Sequence, residues 1–407
     1  MYLQLGWRNI WRNPRRTGVI LAAVVVGVWS MIFLGALMRG VADQMVRNGI
    51  ATLTGHIQIH LKGFRDDPVV ENSIADIDPV LSVLKTSLPA GARWTARIRV
   101  NAVAANARHS SGVVLVGINP GDEAKISFIG GAVVGGGYLK PDDEYGILAG
   151  QALLEKFETR LGRKLVLMSQ DTKRDIASRA FRISGVYRAE TEATEKRYVF
   201  VTLPAARQML KLAEGVSEFS VLLPDRRKVD PVAAELRSAL PADIFEVQTW
   251  WELLPLVIAI LKMHDWFIFL WFLVVFIAMG FGIVNTTLMA VFERIREFGL
   301  LKALGMKPMG IIKEVLTESF FLLSLGMAAG NLLGFLTCLG LAQTGIDLSA
   351  LAEGMEFVGL SRVIYPIVES RDVILANGVV FFLGLLVSIY PAVMAARIGP
   401  VEAMAHN

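Results

Sequence analysis

Four long apolar runs stand out along the chain, and a long stretch of mixed polarity separates the first run from the other three. A helix needs roughly 20 apolar residues to cross a bilayer, and each run meets that length. We therefore predict transmembrane helices at residues 18–38, 265–291, 315–342 and 373–396. The pattern indicates a membrane protein with a large domain, residues 39–264, between its first and second transmembrane helices.

The stretch 39–264 contains short segments in which apolar and polar residues alternate. His56, Gln58 and His60 alternate with apolar neighbours, which predicts a strand with these three side chains on a wet face. Residues 150–161 predict an amphipathic helix that Gly162 ends. Short strands with interposed helices predict a mixed α/β domain, in which residues 116–216 are a candidate for an inserted lobe.

The first 17 residues predict a short amphipathic helix that lies in the membrane interface. Trp7, Ile10 and Trp11 fall on one helical face, and Arg8 and Arg12 point away from it. Simple anchors that flank the first span are the alternative. The apolar run that follows is longer than the roughly 7–15 residues of a signal-peptide core, and a poor cleavage site follows it. We therefore expect an uncleaved anchor.

The distribution of basic residues near the helix ends sets the predicted orientation. Residues 1–17 hold four arginines and no acid, and residues 292–313 hold five basic residues. The loop 343–371 has two arginines against four acids. We therefore predict that 1–17, 292–313 and the tail 397–407 are cytoplasmic, and that 39–264 and 343–371 are extracytoplasmic.

The composition agrees with a membrane protein, since 54% of the residues are hydrophobic, 19% are charged and the mean hydropathy is +0.50. The formal net charge of +4 reflects the predicted cytoplasmic basic residues and is not the footprint of a nucleic-acid partner. The single cysteine, Cys338, lies in the third predicted span. No intramolecular disulfide can form, so the outer domain depends on its hydrophobic core.

The charged segment 292–313, between the second and third spans, predicts a short helix held at the cytoplasmic face of the membrane. Gly305 is expected to end this helix, and a second helix is expected after Pro308. The apolar residues upstream, 250–292, would extend about 60 Å as one helix, which is twice the hydrocarbon thickness. Such a helix would serve as a mechanical rod between the outer domain and the charged segment.

Small and polar residues inside the predicted spans indicate how the helices pack. Gly326, Gly330 and Gly334 recur every four residues, which lets helix backbones approach closely, either within this chain or between two copies. Asn285 and Asn331 are isolated polar residues in the second and third spans. We expect an interhelical hydrogen bond from each, because no ionisable residue lies beside them in mid-membrane.

Motifs for catalysis or cofactor binding are not evident in the sequence. It has no P-loop for ATP, and the glycine-rich residues 130–137 lack the strand–turn–helix frame of a phosphate cradle. His56 and His60 lack the further ligands of a metal site. We expect no metal and no cofactor in this chain, although a catalytic group scattered along the sequence stays open.

Three segments carry a resemblance to a known family. Residues 5–17 read LGWRNIWRNPRRT, residues 293–319 read ERIREFGLLKALGMKPMGIIKEVLTES, and residues 390–404 read YPAVMAARIGPVEAM. They resemble the N-terminal entry, the signature between the second and third spans and the C-terminal pattern of FtsX/MacB-type ABC-transporter permeases. The order of one span, a large outer domain and three further spans is also similar to that family.

The resemblance implies a coupling helix that docks on a cytoplasmic ABC ATPase. The residues it places in that docking segment are Glu293, Arg294, Arg296, Glu297, Gly299, Leu300, Leu301, Lys302, Ala303 and Gly305. It also implies that ATP and Mg bind the partner ATPase and that the permease pairs as a homodimer or a heterodimer. The implied location is the cell inner membrane, with both termini cytoplasmic and the large domain periplasmic, where an adaptor or acceptor protein is a further candidate partner.

The size of the outer domain distinguishes members of this family. About 220 residues resembles lipoprotein-releasing (LolC/LolE-like) and MacB-like members more than cell-division members. MacB carries its ATPase ahead of the first span, whereas this first span begins near residue 18, so a separate ATPase subunit is expected. The expected function is a permease that transmits ATPase-driven motion to its periplasmic domain to export or extract a substrate, with lipoprotein release favoured. Drug or peptide efflux, a transducer that regulates a periplasmic hydrolase and a membrane-anchored enzyme are the alternatives.

Overall fold

The computed structural model describes residues 2–347 and 363–399, which form two compact units. One unit, the helical bundle, consists of residues 2–43, 261–347 and 363–399, and the other, the outer domain, of residues 44–260. Within the described residues, four helices are long and apolar enough to cross a membrane, so the four predicted spans are confirmed as helices. Part of the predicted loop 343–371 and most of the tail 397–407 lie outside the described residues.

The bundle is helical apart from one pair of two-residue strands, whereas helices are interspersed with strands in the outer domain. The helices are α1 (Tyr2–Arg12), α2 (Pro14–Gly49), α3 (Asp78–Ser87), α4 (Pro120–Glu123), α5 (Gln151–Lys156), α6 (Glu192–Arg197), α7 (Leu203–Leu210), α8 (Val229–Ala239), α9 (Trp250–Leu253), α10 (Pro255–Glu293), α11 (Ile295–Ala303), α12 (Pro308–Thr344) and α13 (Ser370–Arg397). The strands are β1 (Ile57–Leu61), β2 (Arg93–Ala105), β3 (Ser110–Ile118), β4 (Val133–Gly136), β5 (Gly146–Gly150), β6 (Lys164–Gln170), β7 (Ile176–Tyr187), β8 (Tyr198–Thr202), β9 (Glu218–Leu222), β10 (Phe245–Thr249), β11 (Ile346–Asp347) and β12 (Val363–Ile364).

The spanning helices extend beyond the predicted apolar runs, because polar residues at their ends continue the helical backbone. Helix α2 begins at Pro14, where a first-turn proline needs no hydrogen bond from its nitrogen. The predicted rod over 250–292 is interrupted at Leu254 (φ −120°, ψ 59°). The ring of Pro255 disfavours a helical conformation in the preceding residue, so α10 starts there and runs about 58 Å to Glu293.

The glycine stripe of α12 packs against α2 inside the bundle. The facing pairs are Gly326 with Val24, Gly330 with Val28 and Gly334 with Ile32. A Cβ atom built on these glycines would lie between 2.6 and 3.0 Å from the facing side chain, closer than real contacts allow. Of the two roles that the sequence left open for this stripe, the structure shows packing within the chain.

The two mid-membrane asparagines differ in their surroundings. Asn331 of α12 exchanges two hydrogen bonds with Asn377 of α13, at 2.7 and 2.9 Å, which confirms the predicted interhelical bond. Asn285 is exposed on α10 and has no hydrogen bond to another helix within the described residues, so the bond predicted for it stays a prediction. Ile283 and Thr287 lie on the buried face of α10. Asn285 lies between them in sequence, two residues from each, and is therefore on the other side of the helix.

One ten-stranded sheet runs through the outer domain in the order β10–β1–β9–β2–β3–β8–β5–β7–β4, and β6 pairs with both β2 and β7. Most neighbouring strands are antiparallel, but β3 with β8 and β5 with β7 are parallel. This mixture fits the predicted α/β class, because parallel neighbours need crossover connections: α5 and α6 lie between β3 and β8, and α5 lies between β5 and β7.

Three hydrophobic cores lie along this sheet, and the smallest gathers Leu53 with buried residues from 114–200. Apart from Val70, the buried residues of the first core come from 98–210, and those of the second come from 57–84 and 216–247. The predicted inserted lobe over 116–216 therefore starts too far along the chain, because the buried residues of the first core already start at residue 98. Strands β2 and β3 form a hairpin, and the sheet stays continuous because the long β2 pairs with β9 at its start and β3 along the rest.

The strand face predicted to be wet is buried. His56, Gln58 and His60 are at most 5% exposed, so the expectation of exposed strand residues is wrong. Strand β1 lies inside the sheet between β10 and β9, and the flanking chain covers its second face. Gln58 donates to the carbonyl of Leu53, and the ring of His60 lies 6.1 Å from that of Phe64.

The helix predicted over 150–161 is shorter in the structure. It ends at Lys156, and two residues later Glu158 takes a left-handed conformation (φ 46°). Its apolar residues still bury against the first core, since Leu153 and Phe157 are 1% exposed. The apolar pattern continued past the real end of the helix because the loop that follows also contributes to this core.

Candidate functional site

The charged segment 292–313 folds as the sequence predicted, into a short helix followed by a second one. Arg294 has a non-helical backbone conformation (φ −109°, ψ 14°) and separates α10 from α11. Helix α11 ends at Ala303, and Gly305 adopts φ +94°, which favours glycine because it has no Cβ. Helix α12 then begins at Pro308. The two turns make α11 a separate nine-residue unit between two long helices.

One face of α11 is fixed to the bundle by apolar packing. Ile295, Phe298 and Gly299 are buried. Phe298 joins a cluster of buried side chains from three other helices, namely Val291, Ile311, Val315, Ala392 and Ala395. A movement applied to α11 would therefore pass to α10, α12 and α13, since close-packed side chains transmit displacement.

Arg294 is the centre of an ion-pair network beneath α11. Its guanidinium contacts Glu314, Glu318 at 3.1 Å and Glu297 at 3.3 Å, and it lies 4.9 Å from the ring centre of Phe298. The Arg294 side chain is only 11% exposed. It therefore faces the bundle, although the resemblance places it in the docking segment.

Two more arginines extend the network into the N-terminal helices. Arg16 of α2 pairs with Glu318 at 2.8 Å and with Glu293 at 3.3 Å. Arg12 of α1 pairs with Glu297, and this hydrogen bond holds the pKa of the Glu297 carboxyl below its usual value. Together, three arginines and four glutamates join α1, α2, α10, α11 and α12.

The energetics of the network follow from its burial. Glu314 and Glu318 are 5% and 9% exposed, and a buried carboxylate is costly to keep charged unless it is paired. Removing one partner of a buried pair typically costs about 3–5 kcal/mol, because the other charge is left uncompensated. The sequence contained a signal for this network, since two glutamates one turn apart at the start of an apolar helix require cationic partners.

Lys302 has a structural role at the end of the last helix. Its Nζ donates to the carbonyls of Ala396 and Ile398, each at 2.7 Å. These carbonyls lie at the C-terminus of α13, where the helix dipole favours a cation. Lys302 therefore links α11 to α13. Like Arg294 and Gly299, it is turned toward the bundle.

The outward face of α11 is a narrow stripe. Of the predicted docking residues, Arg296, Leu300, Ala303 and Gly305 are exposed along this stripe. Glu293 is exposed but paired with Arg16, while Glu297 and Leu301 are half-buried. Sequence reasoning missed Leu304 and Met309, which are 77% and 58% exposed. We call Arg296, Leu300, Ala303, Leu304 and Met309 the outward stripe.

The predicted interface helix, α1, has two different sides. Trp7 and Trp11 are exposed and pack edge to face with ring centres 5.9 Å apart, as suits residues at a membrane surface. Ile10 is completely buried in the bundle core. The Trp7 and Phe321 ring centres lie 5.4 Å apart, so α1 is anchored on α12, while much of Trp7 and Trp11 remains exposed.

A second network, which the sequence did not reveal, lies in the outer domain. Arg97 of β2 is completely buried and holds Glu123 with two bonds of 2.8 and 2.9 Å and Glu218 at 3.4 Å. Burial alone would lower its pKa, but the Glu123 carboxylate outweighs burial and the pKa is raised. Arg97 also donates to the carbonyl of Leu53, in the π-helical turn Ile50–Thr54 that follows α2.

Comparison with known proteins gives matches along the chain. Residues 17–239 match the MacB-like periplasmic core domain, and residues 268–400 match the FtsX-like permease C-terminal region. The lipoprotein-releasing system transmembrane protein LolC of Neisseria meningitidis serogroup B is 22% identical, over 96% of this chain and 94% of its own length. The pyoverdine export ATP-binding/permease protein PvdT of Pseudomonas fluorescens is 25% identical, over 99% of this chain and 59% of its own length. Among solved structures, the periplasmic region of MacB from Actinobacillus actinomycetemcomitans is 13% identical with a TM-score of 0.35, covering 51% of this chain and 94% of that one.

Proposed function

The chain belongs to the family of ABC-transporter permeases that carry the MacB-like periplasmic core and the FtsX-like C-terminal region, and we propose that α11 is the segment through which a separate ATPase subunit drives it. The protein is an inner-membrane permease with a large extracytoplasmic domain. In this proposal both termini and α11 are cytoplasmic, ATP and Mg bind the ATPase, and two permease subunits form the membrane part, as a homodimer or a heterodimer.

The observation that supports this proposal is the division of α11 into a fixed face and an open face. The fixed face is held by Phe298 and Arg294. On the open face, Leu300 and Leu304 are 57% and 77% exposed, one turn apart, with Arg296 one turn before Leu300. An amphipathic helix that presents spaced apolar anchors beside a charge is suited to a groove on a protein partner.

Replacement of the two leucines tests the docking role. We expect Leu300→Asp/Leu304→Asp to abolish co-purification of the co-expressed ATPase, since the two carboxylates would enter an apolar contact. Leu161→Asp, at an exposed leucine of the outer domain, is the matched control and should leave co-purification unchanged. Thermal unfolding of each variant in detergent checks that the bundle is intact. Full retention of the ATPase by the folded double variant would refute the docking role.

For the substrate, we propose a lipid-modified protein that is extracted from the outer leaflet. The relative named for lipoprotein release matches this chain across nearly the whole length of both proteins. In the bundle, an apolar groove of about 380 Å³ between α2 and α10 is lined by side chains that include Leu34, Met38, Phe267 and Trp271. A groove of this composition suits an acyl chain.

Release of a lipid-modified peptide from proteoliposomes that contain the permease and its ATPase tests this substrate. Leu34→Trp, which fills the groove, should reduce ATP-dependent release at least about tenfold, while Val26→Trp on the exposed side of α2 should not. Equal release by both variants would exclude the groove. Transport of a small soluble compound without peptide release would instead support an export role of the kind for which the pyoverdine relative is named.

A further inference from the structure

A polar cavity of about 470 Å³ lies within the outer domain, and neither the sequence motifs nor the family comparison assigns it a role. Its lining runs from Gly49, at the end of α2, through β1 and β2 to the start of β8 and to Leu254. Cavities that bind small molecules have volumes of roughly 300–1,000 Å³, so this one is large enough for a ligand.

The charges that line this cavity have one sign. Arg65, Arg99 and Arg197 all contribute to its wall, and no aspartate or glutamate does. Guanidinium groups that share one cavity repel one another and stay charged at any physiological pH, so an anion between them would be stabilised.

The present partners of the three arginines leave most of this positive charge uncompensated. Arg65 donates to neutral acceptors, the side chain of Gln248 and two backbone carbonyls. Arg99 pairs with Glu218 at 3.0 Å, but Glu218 also forms an ion pair with the buried Arg97. Within the described chain, the guanidinium of Arg197 has no ion-pair or hydrogen-bond partner, and it lies 5.7 Å from the ring centre of Tyr198.

Neutral polar groups complete the wall. Thr52 and Thr54 bring hydroxyl groups to it. Gln58 is 1% exposed and donates its Nε2 to Leu53, while its Oε1 has no hydrogen-bond partner in the described structure. A buried acceptor without a donor is costly, and a ligand hydroxyl would satisfy it.

We propose that this cavity binds a phosphate ester that carries a hydroxyl group. A phosphate ester holds three terminal oxygens around one atom, in the geometry that arginine pairs with, whereas a dicarboxylate divides its oxygens between two separate groups. The hydroxyl would donate to Gln58. The phosphate could come from a soluble compound or from a lipid headgroup, and this proposal concerns the outer domain alone, apart from the docking role of α11.

The test measures binding of glycerol 3-phosphate to the full-length protein in detergent by calorimetry. We expect binding that Arg197→Gln weakens at least about tenfold, because a charged hydrogen bond is lost. Arg163→Gln, at an exposed arginine of the same domain that does not line the cavity, should bind like the parent protein. Succinate should bind much more weakly than the phosphate ester.

A second arm separates the two sources of phosphate. The protein is placed in nanodiscs of phosphatidylglycerol and phosphatidylcholine, and lipid retained after re-extraction is measured by mass spectrometry. Phosphatidylglycerol retention that Arg197→Gln abolishes supports a headgroup ligand even if glycerol 3-phosphate does not bind. The proposal is overturned if neither phosphate probe binds, if succinate binds equally well, or if Arg197→Gln binds both probes as the parent protein does.

Discussion

Arg97 donates a hydrogen bond to the backbone carbonyl of Leu53. Leu53 has φ +65°, a conformation that costs a residue with a side chain about 1–2 kcal/mol. The carbonyl also accepts from Gln58 at 3.0 Å, and the Leu53 side chain is buried with Val116 and Phe200. The segment that follows α2 is thereby fixed to the core of the outer sheet.

Replacement of Arg97 should destabilise the outer domain strongly. Arg97→Met would leave Glu123 buried without its partner and Glu218 with Arg99 alone, and we expect a loss of about 3–5 kcal/mol. Arg93→Met, at an exposed arginine of the same strand, should change stability by less than about 0.5 kcal/mol. Denaturant unfolding of the full-length protein in detergent measures both, and the double variant Arg97→Met/Glu123→Leu should recover part of the loss.

The glycine stripe of α12 gives a prediction with a control on the same helix. A Cβ at Gly330 would lie 2.8 Å from Val28 Cβ and 3.0 Å from the carbonyl oxygen of Val25, whereas nothing lies within 4 Å of Gly340. Gly330→Leu should separate α2 from α12 and lower stability by about 1–3 kcal/mol or more. Gly340→Leu should be tolerated. Equal thermal midpoints for the two variants would contradict the packing described for this stripe.

Arg294 and Arg296 are two residues apart and should behave differently. Arg294→Met leaves Glu314 without its cationic partner and Glu318 with Arg16 alone, so we expect a loss of about 3–5 kcal/mol and little folded protein in the membrane. Arg296→Met alters the outward stripe and should preserve folding while weakening ATPase binding. The readouts are the folded yield from size-exclusion chromatography and the amount of ATPase retained. A stable, fully coupled Arg294→Met variant would show that the network has no structural role.

His56 should make stability depend on pH. Burial, with a smaller contribution from Arg226, lowers its pKa to about 4, and its Nδ1 accepts a hydrogen bond from the Leu223 amide. His56 binds a proton near pH 6.5 in the unfolded chain but only near pH 4 in the folded protein. The free energy of unfolding is therefore unaffected by His56 above pH 6.5 and decreases as the pH falls from 6.5 to 4. At pH 5 the loss is up to about 2 kcal/mol.

The control for this prediction is His56→Asn, which keeps an acceptor for the Leu223 amide and has no titrating group. The thermal midpoint of the parent protein should fall more between pH 7.5 and pH 5 than that of the variant. Parallel decreases in both proteins would show that other groups cause the acid sensitivity.

The sequence by itself determined the four spanning helices and the short helix between Arg294 and Gly305. Both depend on local physics: a run of apolar residues favours lipid over water wherever it lies in the chain, and a glycine or a proline restricts the backbone at its own position. For the same reason, two of the three residues placed at the membrane interface, Trp7 and Trp11, are exposed in the structure.

Only the tertiary structure decided which side of each element faces a neighbour. An alternating strand such as β1 looks half-exposed until chain from elsewhere covers its second face, and a charged residue such as Arg294 looks like surface until glutamates 20 and 24 residues later surround it. The bond from Arg97 to Leu53 joins residues 44 positions apart. Such contacts depend on how distant segments of the chain pack together, and the local pattern of apolar and polar residues does not specify that packing.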